Sequence, residues 1–291
     1  MYNYETTNKS FLDLYTKLSN MGIKNKDYLL LNNKDLVEVD PWDEGLSEHE
    51  KAEIIQECEE NIWYFLREVI KLPFDILSKT NPKFNINIGV FSIIFLWLNG
   101  FNQMAIMPSS MFKTGTICAL YVYLKYIFGL SLANINIKDK THERAKTTKN
   151  MITKYMVPDY IKSGIDRGNK EKHILLDNFV NIPNNDKIWD KVKNKDNIVI
   201  LTTAGDMATD SGKFAFTLKD KGTKWNIKYV DKKKEYLEKI YNMTETPLFS
   251  VEYTPSQIGT TTSHALRKKI ENANKSIDND TLDRRVDLVW K

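Results

Sequence analysis

Residues 103–128 hold an apolar run of strand length, a seven-residue turn and a longer apolar run, an order that leaves few folds open. Gln103-Met104-Ala105-Ile106-Met107 leads into Pro108-Ser109-Ser110-Met111-Phe112-Lys113-Thr114, and Ile117 to Phe128 continues as a helix that is apolar nearly all round. A helix of that kind has no solvent face, so it is expected to be buried against a sheet. Two more short apolar runs, His173-Ile174-Leu175-Leu176-Asp177 and Asn197-Ile198-Val199-Ile200-Leu201, are bounded by polar residues in the form of buried parallel strands. Helical spacing fills the intervals. The alternation predicts an α/β fold with a central, mainly parallel sheet flanked by helices.

The turn itself carries chemistry. In a phosphate-binding loop, backbone N–H groups and a helix N-terminus face the phosphates, a lysine reaches the terminal ones, and a threonine holds Mg²⁺. Lys113 and Thr114 stand in those places, but Phe112 occupies the position where such a loop has glycine. A Cβ and ring there oppose close backbone approach and positive φ. The competing reading of Lys113-Thr114 is an ordinary helix start with a solvated lysine.

Elsewhere the pattern is helical. Ser47 and Glu50 have capping-box spacing ahead of a helix expected to run to about Lys71, with Ile54, Ile55, Cys58, Ile62, Phe65, Leu66 and Val69 on one face. Further helices are expected over Ile86–Leu98, Glu143–Met156 and Ser211–Leu218, and a strand over Leu248–Tyr253. Residues 1–40 read as a polar, loosely packed helical N-terminal arm, with 41–291 as the main domain.

Composition bounds the partners. Forty-two basic against 38 acidic residues leave a net charge of +4, compatible with a polyanion but equally with a solvated surface. The cluster Lys232-Lys233-Lys234 has the same two readings. Cys58 and Cys118 sit in apolar helical segments without a CxxC or histidine partner, so buried thiols are expected and a metal centre is not. The four histidines show no ligand or triad spacing. No signal peptide or membrane span is read, which makes a soluble, cytoplasmic protein the expectation.

Taken in order, these segments resemble the N-terminal ATPase portion of the large terminase subunit of tailed bacteriophages, over roughly residues 41–291. The resemblance starts at Pro41-Trp42-Asp43 and Asn61-Ile62-Trp63-Tyr64-Phe65-Leu66-Arg67-Glu68-Val69, and passes through Phe95-Leu96-Trp97-Leu98-Asn99 to the loop. There the family's Pro-Arg-Gln-x-Gly-Lys-Thr is matched by Pro108 to Thr114. Ile174-Leu175-Leu176-Asp177-Asn178-Phe179 falls where the family has an apolar strand and Asp-Glu-Phe, and Leu201-Thr202-Thr203-Ala204-Gly205-Asp206 resembles its coupling segment. Phe249 to Tyr253, Gln257-Ile258-Gly259 and Arg284 to Trp290 resemble the end of that region.

The resemblance implies a P-loop NTPase fold, with Lys113 and Thr114 binding nucleotide. It makes Asp177 and Thr114 the Mg²⁺ residues, and Thr202, Thr203 and Gly205 the coupling segment. ATP and Mg²⁺ are the implied cofactors; double-stranded DNA, a phage portal and a ring of identical subunits are the implied partners, in the host cytoplasm and without a membrane. The departures are specific: Ser109 replaces the loop arginine, Phe112 the glycine, and Asn178 the catalytic glutamate, so no catalytic residue is assigned. The stretches from Tyr160 to Asp177 and on to Thr202 are short, and the nuclease domain is expected to be absent. The implied function is a DNA-packaging motor protein with a degenerate ATPase site. The alternatives are a non-catalytic structural or regulatory homologue, or the ATPase fragment of a split terminase.

Overall fold

A computed structural model describes residues 1–3, 5–72, 81–130, 135–138 (backbone), 157–162, 172–225 and 248–291. The expected helix over Glu143–Met156 and the cluster Lys232–Lys234 lie outside them. The chain divides into two compact units: Met1–Ile86, Ile117–Ile135 and Thr147–Glu171 form one, and Asn87–Thr116, Asn136–Lys146 and Lys172–Lys291 the other. Among the described residues no helix is long and apolar enough to cross a membrane.

The N-terminal 40 residues are built into the first unit rather than loosely attached to it. Strand β1 (Tyr2–Asn3) pairs antiparallel with β2 (Leu30–Leu31), and between them α1 (Lys9–Asn20) buries Phe11, Leu14 and Leu18. The polar composition of this segment reflects only the outer faces. Helix α2 (Glu48–Glu60) starts at the Ser47/Glu50 capping box. The expected continuation to Lys71 breaks at Asn61, whose φ of −142° is not helical and whose side chain caps the next turn at Tyr64. Beyond the break come α3 (Ile62–Tyr64) and a π-helical turn, Phe65–Val69, that turns Arg67 and Glu68 inward together. Arg67 Nε donates to Glu68 Oε1 at 3.1 Å, and its Nη1 donates to the Tyr28 carbonyl. Thr6 and Lys83 donate to the two Glu68 oxygens at 2.5 and 2.6 Å. Cys58 and Cys118 are both buried, and burial pushes the Cys58 thiol well up.

The second unit is organised on a six-stranded sheet. Helix α4 (Ile88–Leu98) is capped by Asn87 and precedes β3 (Gln103–Ile106); α5 (Lys113–Tyr126) starts directly after the loop. Strands β4 (Ile135–Lys138), β5 (His173–Asp177), β6 (Ile198–Thr202), β7 (Thr223–Trp225) and β8 (Phe249–Glu252) complete the sheet, in the order β4-β5-β6-β3-β8-β7. The pairs β5·β6, β6·β3, β3·β8 and β8·β7 are parallel, so five strands run the same way.

Both faces of the central strands are covered, which explains their continuous apolar composition. Met104, Ile106, Ile174, Leu176, Ile198 and Ile200 alternate onto one face and pack with Trp189 and Val192 of the helix Asn185–Val192 and with Ala215 and Leu218 of the helix Asp210–Lys221. Each such fully buried aliphatic side chain contributes about 1.5–3 kcal/mol. On the other face Gln103 donates to the Ile93 carbonyl of α4 at 2.8 Å. From β3 the chain leaves toward β4 at one edge of the sheet, and from its neighbour β6 toward β7 at the other. That reversal creates a switch point, and open parallel sheets bind ligands beyond the strand ends there.

Candidate functional site

Beyond β3 the ladder extends one step, with Met107 N–H donating to the Thr202 carbonyl at 3.0 Å. Pro108, which has no N–H to give, ends the strand. The loop then turns through two left-handed residues, Ser110 (φ 64°) and Phe112 (φ 67°). Phe112 therefore adopts the conformation that glycine adopts freely, at a cost of order 1–2 kcal/mol. The backbone is thus left-handed with the phenylalanine in place, against the opposition that its Cβ and ring present to positive φ. Two contacts hold it. The Phe112 carbonyl accepts from both the N–H and the hydroxyl of Thr116 at 2.9 Å, and the ring folds back against Gly115.

Lys113 is buried and curls across the loop, with Nζ donating to the carbonyls of Met107 at 2.8 Å and Pro108 at 2.5 Å. Burial lowers its pKa to about 7, with the charge of Asp177 opposing the shift and that of Arg285 adding to it. Thr114 Oγ1 donates to Asp177 Oδ2 at 2.6 Å, and Oδ1 of the same carboxylate accepts the Asn178 N–H at 2.9 Å. A hydroxyl and a carboxylate this close can both ligate one small hard cation, which binds few protein oxygens and keeps waters or phosphate oxygens for the rest. Among the described residues no group of three or more His, Cys, Asp or Glu side chains could hold a metal by itself. The α5 N-terminus adds a partial positive charge at the same place.

Asn178 comes next after the strand, in the left-handed region at φ 53° and ψ 41°. Asparagine tolerates that conformation better than most residues do. Thr202 ties three segments together: its carbonyl takes the Met107 N–H, its hydroxyl accepts the Val180 N–H at 3.2 Å, and its own strand lies between β3 and β5. Thr203 is buried with its hydroxyl on the Ala204 carbonyl. Gly205 packs where a Cβ would come within 3.0–3.1 Å of Gly212, Trp290 and Val180.

Of the residues that the sequence marks as candidates, Lys113, Thr114, Asp177 and Thr202 are thus brought to the C-terminal ends of three adjacent strands. Arg285 is a site residue that sequence reasoning does not mark. It lies in a π-helical turn, Asp283–Asp287, where its carbonyl accepts the Ser109 N–H at 2.7 Å and its Nε donates to Ser109 Oγ at 3.0 Å. With the partners 176 positions apart, no local pattern could have found this pair. No protein-family model matches the sequence, and no curated protein matches it.

Proposed function

We propose that the second unit is a phosphate-binding nucleotide site of the kind used by phage large terminases, in a chain that binds Mg-ATP and turns it over slowly or not at all. The observation that carries this reading is the Thr114–Asp177 hydrogen bond beside Lys113, at the ends of adjacent parallel strands. A lysine, a hydroxyl and a carboxylate so placed supply the terminal-phosphate contact and two ligands for Mg²⁺. The left-handed turns at Ser110 and Phe112 give the loop its curl without glycine. Bound ATP would displace the Lys113 ammonium from the Met107 and Pro108 carbonyls.

Slow turnover is the consequence of Asn178. An amide cannot take a proton from water, and a positioned general base typically contributes about 10²–10⁴ in rate. The same residue favours the rival reading of a non-catalytic homologue kept for oligomer contacts. The wider role, DNA packaging at a portal by a ring of identical chains in the host cytoplasm, rests on the order of motifs along the sequence.

The deciding experiment is titration calorimetry with ATP, with and without Mg²⁺, on the wild type and on Lys113→Ala. Saturable binding that Mg²⁺ strengthens and Lys113→Ala weakens by about tenfold or more is expected. Equal binding by the two proteins, or none by either, overturns the nucleotide reading.

A further inference from the structure

We infer that Arg285 contacts the terminal phosphate of the bound nucleotide, taking the part of the positively charged side chain that Ser109 does not supply. This rests on the nucleotide reading of the loop and adds a residue to it. Arg285 meets the loop at one residue by two hydrogen bonds in opposite senses: its carbonyl accepts from Ser109 N–H at 2.7 Å and its Nε donates to Ser109 Oγ at 3.0 Å. Such a clasp fixes where the guanidinium begins. It uses one of five N–H donors, and among the described residues the terminal nitrogens of Arg285 have no hydrogen-bond or ion-pair partner.

Neighbouring charged residues differ. Arg284 pairs with Asp206 at 3.7 Å, and Arg267 with Asp283 and Asp287. Arg285 instead pairs with no carboxylate among the described residues, and its clasp on Ser109 holds it to the same loop that ends in Lys113. Asp177, the carboxylate felt at Lys113, is already engaged with Thr114 and the Asn178 N–H. A triphosphate bound along the loop has the charge and the oxygens to engage both Lys113 and the terminal nitrogens of Arg285. A guanidinium offers it a planar fork that a second lysine could not.

The test compares Mg-ATP with Mg-ADP. Arg285→Gln should weaken Mg-ATP binding about tenfold or more while Mg-ADP changes less than about twofold, with Arg285→Lys in between. In the wild-type protein, phenylglyoxal modification of Arg285, read by mass spectrometry, should be suppressed by Mg-ATP and not by Mg-ADP. That second measurement stands even if the glutamine variant does not fold. Equal losses for the two nucleotides would make Arg285 a strut for the loop, and unchanged Mg-ATP affinity or absent protection would remove it from the site; either result overturns the inference while leaving the nucleotide reading intact. Wild-type protein that binds neither nucleotide overturns both.

Discussion

The Phe112 ring lies so close to Gly115 that a Cβ on the glycine would sit 2.8 Å from the ring's Cζ. The two residues accommodate each other: the glycine makes room for a ring that the left-handed backbone at 112 turns back over the first turn of α5. Gly115→Ala alone should therefore destabilise the protein by about 1–3 kcal/mol, despite alanine's better helix propensity. Combined with Phe112→Gly the penalty should vanish, because the ring is gone and the left-handed strain with it. Urea denaturation of the four proteins gives a coupling energy, expected at about 0.5–3 kcal/mol. Strict additivity would show that the ring and the glycine do not interact.

Protonation of Lys113 sets a pH dependence whose sign is fixed. An exposed lysine in the unfolded chain keeps its pKa near 10.5, whereas burial brings the folded value to about 7. Between those values the unfolded state holds the extra proton, so stability should rise with pH across the window, and the full penalty applies below it. Lys113→Met removes the group. Denaturation midpoints should then rise more steeply from pH 7 to 9 in the wild type than in the variant, and parallel curves would contradict the burial of the ammonium.

How much of the fold and the site is legible in the sequence depends on the range over which each feature is encoded. Strands β3, β5, β6 and β8 are readable because burial on both faces leaves apolar runs with abrupt polar ends. The capping box at Ser47 is a four-residue signal and equally plain. Strand β7, only Thr223–Trp225 with a partly polar face, gives no such pattern. The break at Asn61 is hidden because the apolar spacing continues through it; what stops the helix is an asparagine bonded to Glu57 and the Leu30 carbonyl as well as to its own chain. The loop chemistry of Lys113 and Thr114 is local. Its closure by Arg285 is tertiary, and the left-handed Phe112 runs against the preference of its own side chain.

Asn178→Glu should trade stability for turnover. The left-handed backbone at 178 suits asparagine, so Asn178→Glu should cost about 1 kcal/mol in stability while adding a carboxylate next to Asp177. If the site holds Mg-ATP, ATP turnover measured by phosphate release should rise by about tenfold or more in Asn178→Glu, and Phe112→Gly should add little, because the loop already has its curl. A larger gain from Phe112→Gly alone would mean that the ring, not the missing base, limits the reaction.

In the first unit, the buried Arg67–Glu68 pair should be costly to break. Neither side chain reaches solvent appreciably, and Thr6, Lys83 and the Tyr28 carbonyl complete the network. Removing one partner strands the other's charge, at about 3–5 kcal/mol. Arg67→Met and Glu68→Gln should each lower the unfolding midpoint sharply, while the double variant loses less than the sum. Equal behaviour of the singles and an exposed control such as Lys24→Met would rule the network out as a structural element.

The segment after β6 makes the most demanding packing prediction. A Cβ at Gly212 would fall 1.9 Å from the Asp206 carbonyl oxygen, and no rotamer change relieves a clash between two backbones. Gly205 is less tight, with its nearest neighbours at 3.0–3.1 Å, two of which are side-chain atoms of Trp290 and Val180 that can yield. Gly212→Ala should therefore cost about 3 kcal/mol and Gly205→Ala about 1, the reverse of the gain that alanine brings to an open helix position. The consequences for the site differ as well. Gly205 adjoins Val180, whose N–H reaches the Thr202 hydroxyl, so Gly205→Ala should loosen amide protection at Val180 and Met107 in hydrogen exchange with little change in the global midpoint. If exchange at both amides stays at the wild-type rate, the segment after β6 has no mechanical link to the loop after β3.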